Sequence, residues 1–409
     1  MKSNYKRIGD FIRLIDDRNT GLKVTNLLGL SISKQFIPSV ANLVGTDMEN
    51  YKIIRKNQFA CSTMQVRRDK KMPVALLQEV DKAIISQAYP VFEIKDTEQL
   101  IPDYLMMWFS REEFDREACF YAIGGVRGSL EWEDFCDMKL PIPSPDKQKE
   151  IIKEYNVIIN RISLNNQIIQ KLEATAQAIY KQWFIDFEFP DENGNPYKSS
   201  GGEMGGTKMG LIPIAWRAGC IENIADQFFG YAFNGEDYSF SEGITVLRGE
   251  NVTEKKLRWD THKKWDKSIN KRIEKCFLSE NDIVVGMDGS KVGKNWSLIS
   301  EYDLPLLLAQ RVSCLRAKVP VWQQFIYYSM DVLGFEQYVS QVQTGTSVPH
   351  ISGEQIFNFP ILIPTNELIN NYSELTINLL KNIVVYRSQI YKLEKFGNLL
   401  LSKLAAIEN

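Results

Sequence analysis

The 409 residues include 44% hydrophobic and 24% charged side chains and carry a formal net charge of −2, a composition that fits a globular chain of two or three domains and excludes collagenous and disordered classes. The six cysteines are scattered without a Cys-x-x-Cys pair and only His262 and His350 accompany them, which argues against a structural zinc site or a disulfide framework. The near-neutral balance excludes a uniformly basic nucleic-acid binder and leaves only local basic patches.

In chain order, Met1–Arg7 leads into Ile8–Asp17 without the apolar core of a signal peptide. No later stretch approaches the ~20 apolar residues of a spanning helix, so the cytoplasm is the expected location. Residues 54–73 carry Arg55, Lys56, Arg67, Arg68, Lys70 and Lys71 against Asp69 alone. A helix is predicted over Tyr104–Phe114. Pro141, Pro143 and Pro145 then precede a long helix that ends before Pro190. Asp191–Gly206, rich in Gly, Ser and Asn, reads as a linker or long loop. The second half offers β-type runs at Ile244–Leu247 and Ser279–Val285 and a helix over Phe325–Phe335. Pro360 and Pro364 precede a second long helix that runs nearly to the end of the sequence. Each long helix is about forty residues, on the order of 60 Å, more than one small core can cover.

The sequence repeats itself. Lys171-Leu172-Glu173 meets Lys392-Leu393-Glu394 at a shift of 221 residues, which also takes Phe114 to Phe335, Ile142-Pro143 to Ile363-Pro364, Ile162 to Ile383 and Ile169 to Ile390. The first long helix has an a/d seam of Tyr155, Ile158, Ile162, Asn165, Ile169, Leu172, Ala176, Ile179 and Trp183. The second keeps the phase with Tyr372, Thr376, Leu379, Ile383, Tyr386, Ile390, Leu393, Gly397, Leu400 and Leu404. Shared phase with few identities indicates duplicated helices, each the natural partner of the other, with polar Asn165 as a candidate register-setting residue.

Chemistry is missing. Gly289-Ser-Lys-Val-Gly293-Lys294-Asn295 is one residue short of a phosphate loop and lacks its Ser or Thr. Asn195-Pro196-Tyr197 lacks the second proline of an amino-methyltransferase loop. No hydrolytic constellation is legible, which favours binding.

Residues 245–275 form a second basic run, ten Lys/Arg against five Asp/Glu, with Trp259 and Trp265 interleaved. One patch per half suits one DNA contact per half. The candidate contacts in the first half are Lys34, Gln65, Arg67, Arg68, Lys70, Arg127 and Ser129. Those in the second are Arg248, Asn251, Lys255, Ser290, Lys291, Lys294, Arg311, Thr346, Ser347 and His350, residue types that suit phosphates and base edges. No metal site and no catalytic residue is assigned.

Gln170–Pro190 (QKLEATAQAIYKQWFIDFEFP), Leu28–Pro38, Gly125–Phe135, Gly286–Lys294 and Thr344–Ile351 together resemble the specificity subunits of Type I restriction–modification systems over nearly the whole length. The resemblance implies an α+β protein with two mixed α/β target-recognition domains, an antiparallel coiled coil between them and an internal pseudo-two-fold duplication. The expected boundaries are a recognition domain at 1–145, a spacer helix at 146–189, a linker at 190–212, a second recognition domain at 213–366 and a second spacer helix at 367–409. It further implies a split asymmetric DNA target. Two methylation subunits would carry S-adenosylmethionine and the adenine-N6 chemistry, and two endonuclease subunits would use ATP and magnesium in the restriction form. This chain would itself bind no cofactor and catalyse nothing. One departure from the pattern is Arg67, where relatives often have glycine. The other readings are an orphan DNA-binding subunit and a duplicated scaffold that binds something other than DNA.

Overall fold

The computed structural model describes residues 5–39, 47–124, 128–207, 210–259, 262–345 and 347–406. The chain forms two compact units, Met1–Leu164 with Gln389–Asn409, and Asn165–Ser388. Each long helix, Pro145–Phe184 and Asn366–Lys403, contributes one part to each unit.

In the first unit, a four-stranded antiparallel sheet has the order Ile12–Ile15, Val91–Ile94, Phe59–Cys61, Val74–Leu76. Against it lie the helices Pro102–Phe109, Glu112–Tyr121 and Trp132–Asp137. Phe59, Phe92, Phe109, Phe114 and Phe135 are all fully buried there, and Phe59 stacks on Phe92 at 5.0 Å. Each such ring removed from water contributes about 1.5–3 kcal/mol before entropy is counted. Tyr5–Arg7 pairs with Lys139–Pro141, and the Tyr5 hydroxyl donates to the Ala405 carbonyl at 2.9 Å, so both ends of the sequence close this unit.

The second unit repeats the plan. Its sheet order is Ala225–Phe229, Val312–Ala317, Ile283–Gly286, Trp296–Leu298, and Arg217–Cys220 pairs with Pro360–Ile363. The shift of 221 read from the sequence carries helix Trp132–Asp137 onto a start at Gly353 and helix Pro145–Phe184 onto a start at Asn366. A smaller sheet, Lys264–Trp265, Ile244–Leu247 and Leu306–Leu308, is added in this unit.

Two kinds of local expectation, a pair of helices and one strand, are corrected. The single helices expected over Tyr104–Phe114 and Phe325–Phe335 are each broken in two. In the first, Arg111 is extended and its guanidinium packs 4.0 Å from the Trp108 ring centroid; in the second, Gly334 turns the chain at φ +75°. The strand expected from Ser279 begins at Ile283, because Asp282 accepts from the Ser279 amide and closes a turn. The stretch after Pro190 is folded: Asp191 accepts from the Asn193 and Asn195 amides, and Tyr197 stacks on Phe189 at 4.6 Å, which stacks in turn on Trp216.

The long helices pack antiparallel within each unit. In the second unit Glu173 pairs with Arg387 at 2.7 Å, whereas Phe184 meets Tyr372 at 4.9 Å, so rising numbers on one helix meet falling numbers on the other. In the first unit Gly397 lies against Tyr155 and Ile158. Every seam position read from the sequence is buried or half-buried, Asn165 completely so.

Two glycines give opposite expectations. A Cβ at Gly397 would meet Tyr155 and Ile158 at 3.7 and 3.8 Å, ordinary contact distances. Gly397→Ala is therefore expected to raise stability by about 0.5–1 kcal/mol through helix propensity. A Cβ at Gly230 would lie 2.1 Å from the Ala309 carbonyl oxygen, a backbone atom beside the Tyr231–Ala309 bridge. Gly230→Ala is expected to cost about 1–3 kcal/mol or more. Urea unfolding of both variants checks the pair of signs.

Candidate nucleic-acid interface

In the first unit, the candidate site grows out of the end of strand Phe59–Cys61. The chain turns through Gln65, left-handed at φ +63°, makes the short helix Val66–Asp69, and turns again at Lys70, φ +51°. Val66 is the buried anchor of this excursion, while Arg67, Arg68 and Lys70 are exposed and Gln65 is half-buried. A second loop packs beside it. Ile123 and Ser129 exchange backbone hydrogen bonds, the Val66 amide donates to the Gly128 carbonyl, and the Leu130 amide donates to the Thr63 carbonyl.

Arg67 ties the two segments together, donating to the Cys119 carbonyl at 3.4 Å and the Gly124 carbonyl at 3.1 Å. Its stem lies over Gly128, where a Cβ would fall 2.7 Å from it. The backbone at Arg67 is helical and asks for no glycine; the left-handed positions are its neighbours Gln65 and Lys70. Arg68 is engaged locally by Asp69, whose carboxyl is held below its usual range by that guanidinium. Arg127 lies outside the described residues.

Lys34 lies inward of these loops, on Asp115, which also accepts from the Met72 amide. Its side chain is 9% exposed and pairs with Asp115 at 2.8 Å, and the amine also donates to the Phe109 carbonyl and lies 5.1 Å from the Phe114 ring centroid. Burial pulls its pKa down against the opposing pull of Asp115. Lys34 is an internal brace, and its contact expectation is corrected accordingly.

The second unit has the corresponding pair of loops. After strand Ile283–Gly286, Asp288 and Gly289 enter a turn that carries exposed Ser290, Lys291 and Lys294. Thr344 and His350 exchange backbone hydrogen bonds just as Ile123 and Ser129 do. The Gly289 amide donates to Pro349 and the Ile351 amide to Met287, matching the two links across the first unit's loops. Arg311, at φ +66°, completes the group, with its carbonyl accepting from the Met287 amide. Thus Ser290, Lys291, Arg311, Ser347 and His350 come from three segments that converge, whereas Lys294 turns to Glu336 at 3.0 Å. Thr346 lies outside the described residues.

The basic run 245–275 is less available than its composition promises. Asn251 is 2% exposed, and its side chain accepts from the Arg248 amide and donates to the Arg258 carbonyl. It closes a turn and offers no edge to a base, which corrects that expectation. Lys255 pairs with Asp331 at 2.6 Å; burial opposes its charge, and the Asp331 carboxylate more than compensates and raises its pKa. Arg248 pairs with Glu250 and packs against Tyr238. Trp265 is buried in the core and Trp259 is half-buried. Asp288, which the sequence did not single out, sits where the converging loops meet and accepts from His350. Among the described residues, no group of three or more His, Cys, Asp and Glu could hold a metal ion, and no helix is long and apolar enough to cross a membrane.

Residues 40–174 match the family described as Type I restriction modification DNA specificity domain. Among curated proteins, the MjaVIII specificity subunit of Methanocaldococcus jannaschii is 24% identical over 67% of this chain and 64% of its own length. The EcoAI specificity subunit of Escherichia coli is 32% identical over 42% of this chain and 31% of its own length. The chain thus spans less than two thirds of the length of either relative. Among solved structures, the S subunit of a Type-I restriction-modification system from M. genitalium shares the fold, with a TM-score of 0.57 over 99% of this chain and 96% of that one at 12% identity. The chain is thus similar to the specificity subunits of Type I restriction–modification systems, and its residues 40–174 match their DNA specificity domain.

Proposed function

We propose that this chain is the DNA-reading subunit of a Type I restriction–modification complex, binding a bipartite asymmetric duplex target and catalysing nothing itself. The observation that carries the reading is the pair of equivalent loop sets, Ser62–Lys70 with 123–129 and Asp288–Lys294 with 344–350. They share backbone links and differ in nearly every side chain. A common frame with unlike recognition surfaces suits two half-targets of unlike sequence. Exposed Arg67, Lys70 and Lys291 supply charge for phosphates, and Gln65, Ser129, Ser290, Ser347 and His350 supply donors and acceptors for base edges.

On this reading two methylation subunits dock on the long helices and bring S-adenosylmethionine and the adenine-N6 chemistry, two endonuclease subunits bring ATP and magnesium, and the complex works in the cytoplasm. The boundaries of the recognition domains, spacer helices and intervening segment are those drawn from the sequence.

Three measurements test it. Co-expression with methylation subunits, followed by mapping of N6-methyladenine, is expected to give a split motif; exchanging residues 54–73 changes one half and exchanging 244–300 the other. Absence of both a complex and a methylated split motif would favour an orphan subunit or a scaffold for another ligand.

Deleting residues 162–168 together with 383–389 removes about 10 Å from each helix. It is expected to shorten the unread spacer by about three base pairs at ~3.4 Å each; an unchanged spacer in a selected-site library rejects the helices as the ruler.

Lys70→Ala and Lys291→Ala should each lower the slope of log affinity against log salt by about 1. Lys255→Ala should leave it unchanged, because Asp331 already neutralises that amine.

A further inference from the structure

Asp288 is the point at which three segments of the second unit meet. One carboxylate oxygen accepts from His350 Nδ1, and the other lies 3.6 Å from Arg311 Nε, an ion pair beyond hydrogen-bond length. The Asp288 backbone also bridges to His350, while the Arg311 carbonyl accepts from the Met287 amide at 3.1 Å. Arg311 itself has a left-handed backbone, a conformation that a non-glycine residue keeps only when its surroundings impose it. Its side chain is nonetheless 66% exposed. The fold therefore constrains the base of an arginine whose head is in solvent.

We propose that Asp288 is a specificity-positioning residue that aims Arg311 at a guanine edge in the half-target read by the second unit. The inference rests on the DNA-reading function proposed above and adds which base that unit reads through these residues. With Nε engaged by Asp288, both terminal amino groups of the guanidinium stay free, and that two-pronged end matches guanine O6 and N7. The charge balance points the same way. A cation beside a carboxylate attracts phosphate less than free Lys291 does, yet keeps its directional donors, so the pair suits base reading over backbone anchoring. His350 occupies the second oxygen and holds the carboxylate from the opposite loop. At the shift of 221, Pro90 corresponds to Arg311 and Ser129 to His350, so the described residues of the first unit do not repeat this arrangement. The guanine preference argued from Asp288 and Arg311 therefore concerns the half-target read by the second unit.

The test uses the full chain and a randomised duplex library, comparing the wild type with Asp288→Asn, Asp288→Glu, Arg311→Ala and the double variant Asp288→Asn/Arg311→Ala. Expected is a loss of discrimination of about tenfold at one guanine in one half-target, the scale of a bidentate guanine contact. The loss falls at the same position for Asp288→Asn and Arg311→Ala and is no larger in the double variant, whereas Asp288→Glu recovers part of it. The other half-target stays as in the wild type, and the salt slope of Asp288→Asn does not fall, because the substitution removes a negative charge beside Arg311. Unchanged discrimination in Asp288→Asn, or uniform weakening across all sequences, overturns the proposal. Should Asp288→Asn fail to fold, Arg311→Ala decides, and an effect spread over many positions overturns it equally. A wild-type chain with no sequence preference would instead reject the underlying DNA-reading function, an outcome distinct from the loss of one position.

Discussion

The buried seam of the two long helices is the constraint on which the rest of the structure depends. A helix of forty residues cannot bury its apolar stripe against one small domain, and here each helix gives one part of its stripe to each unit. In the first unit, Leu401 from the second helix and Leu404 just beyond its end join a core built from the first part of the sequence. In the second, Tyr180 and Phe184 from the first helix pack with Phe325 and Tyr372. Neither unit's core is complete with sequentially local residues. The same pairing anchors the two-stranded sheets Tyr5–Arg7 with Lys139–Pro141 and Arg217–Cys220 with Pro360–Ile363, because the strands Lys139–Pro141 and Pro360–Ile363 lead directly into the helices.

From that frame the candidate interface follows by position. In each unit a loop leaves the end of an inner strand and is held to a second loop by backbone hydrogen bonds, which do not depend on side-chain identity. Side chains there are free to differ. The first unit uses Arg67 as a clasp across Gly128, and the second uses Asp288 to gather Arg311 and His350. Loops fixed by main-chain bonds on a rigid scaffold can change chemistry without loss of fold.

Cation counts were the weaker guide. Lys34, Arg248 and Lys255 look alike in sequence to Lys70 and Lys291, but Asp115, Glu250 and Asp331 engage the first three. A paired, partly buried cation is a brace, and an exposed one keeps its charge toward solvent. Residues 245–275 illustrate the point: their tryptophans serve the core and Asn251 closes a turn.

The duplication, its shift of 221 residues and the seam of the two long helices are legible in the sequence, because a repeated heptad phase is a local, periodic signal that survives the loss of identity; the buried stripe is wider than that seam and adds Tyr180, Phe184, Ile369, Leu380 and Leu401. The sequence also placed the loops that bear the candidate residues. Which of those residues face solvent is set by the fold, since that turns on partners distant in sequence: Asp115 is 81 residues from Lys34 and Asp331 is 76 from Lys255. The fold likewise brought Asp288, Arg311 and His350 together, and broke two expected helices where Arg111 and Gly334 divert the chain. Periodicity reports what a segment must bury, but a charge's partner is set by how segments meet, and no local pattern encodes that.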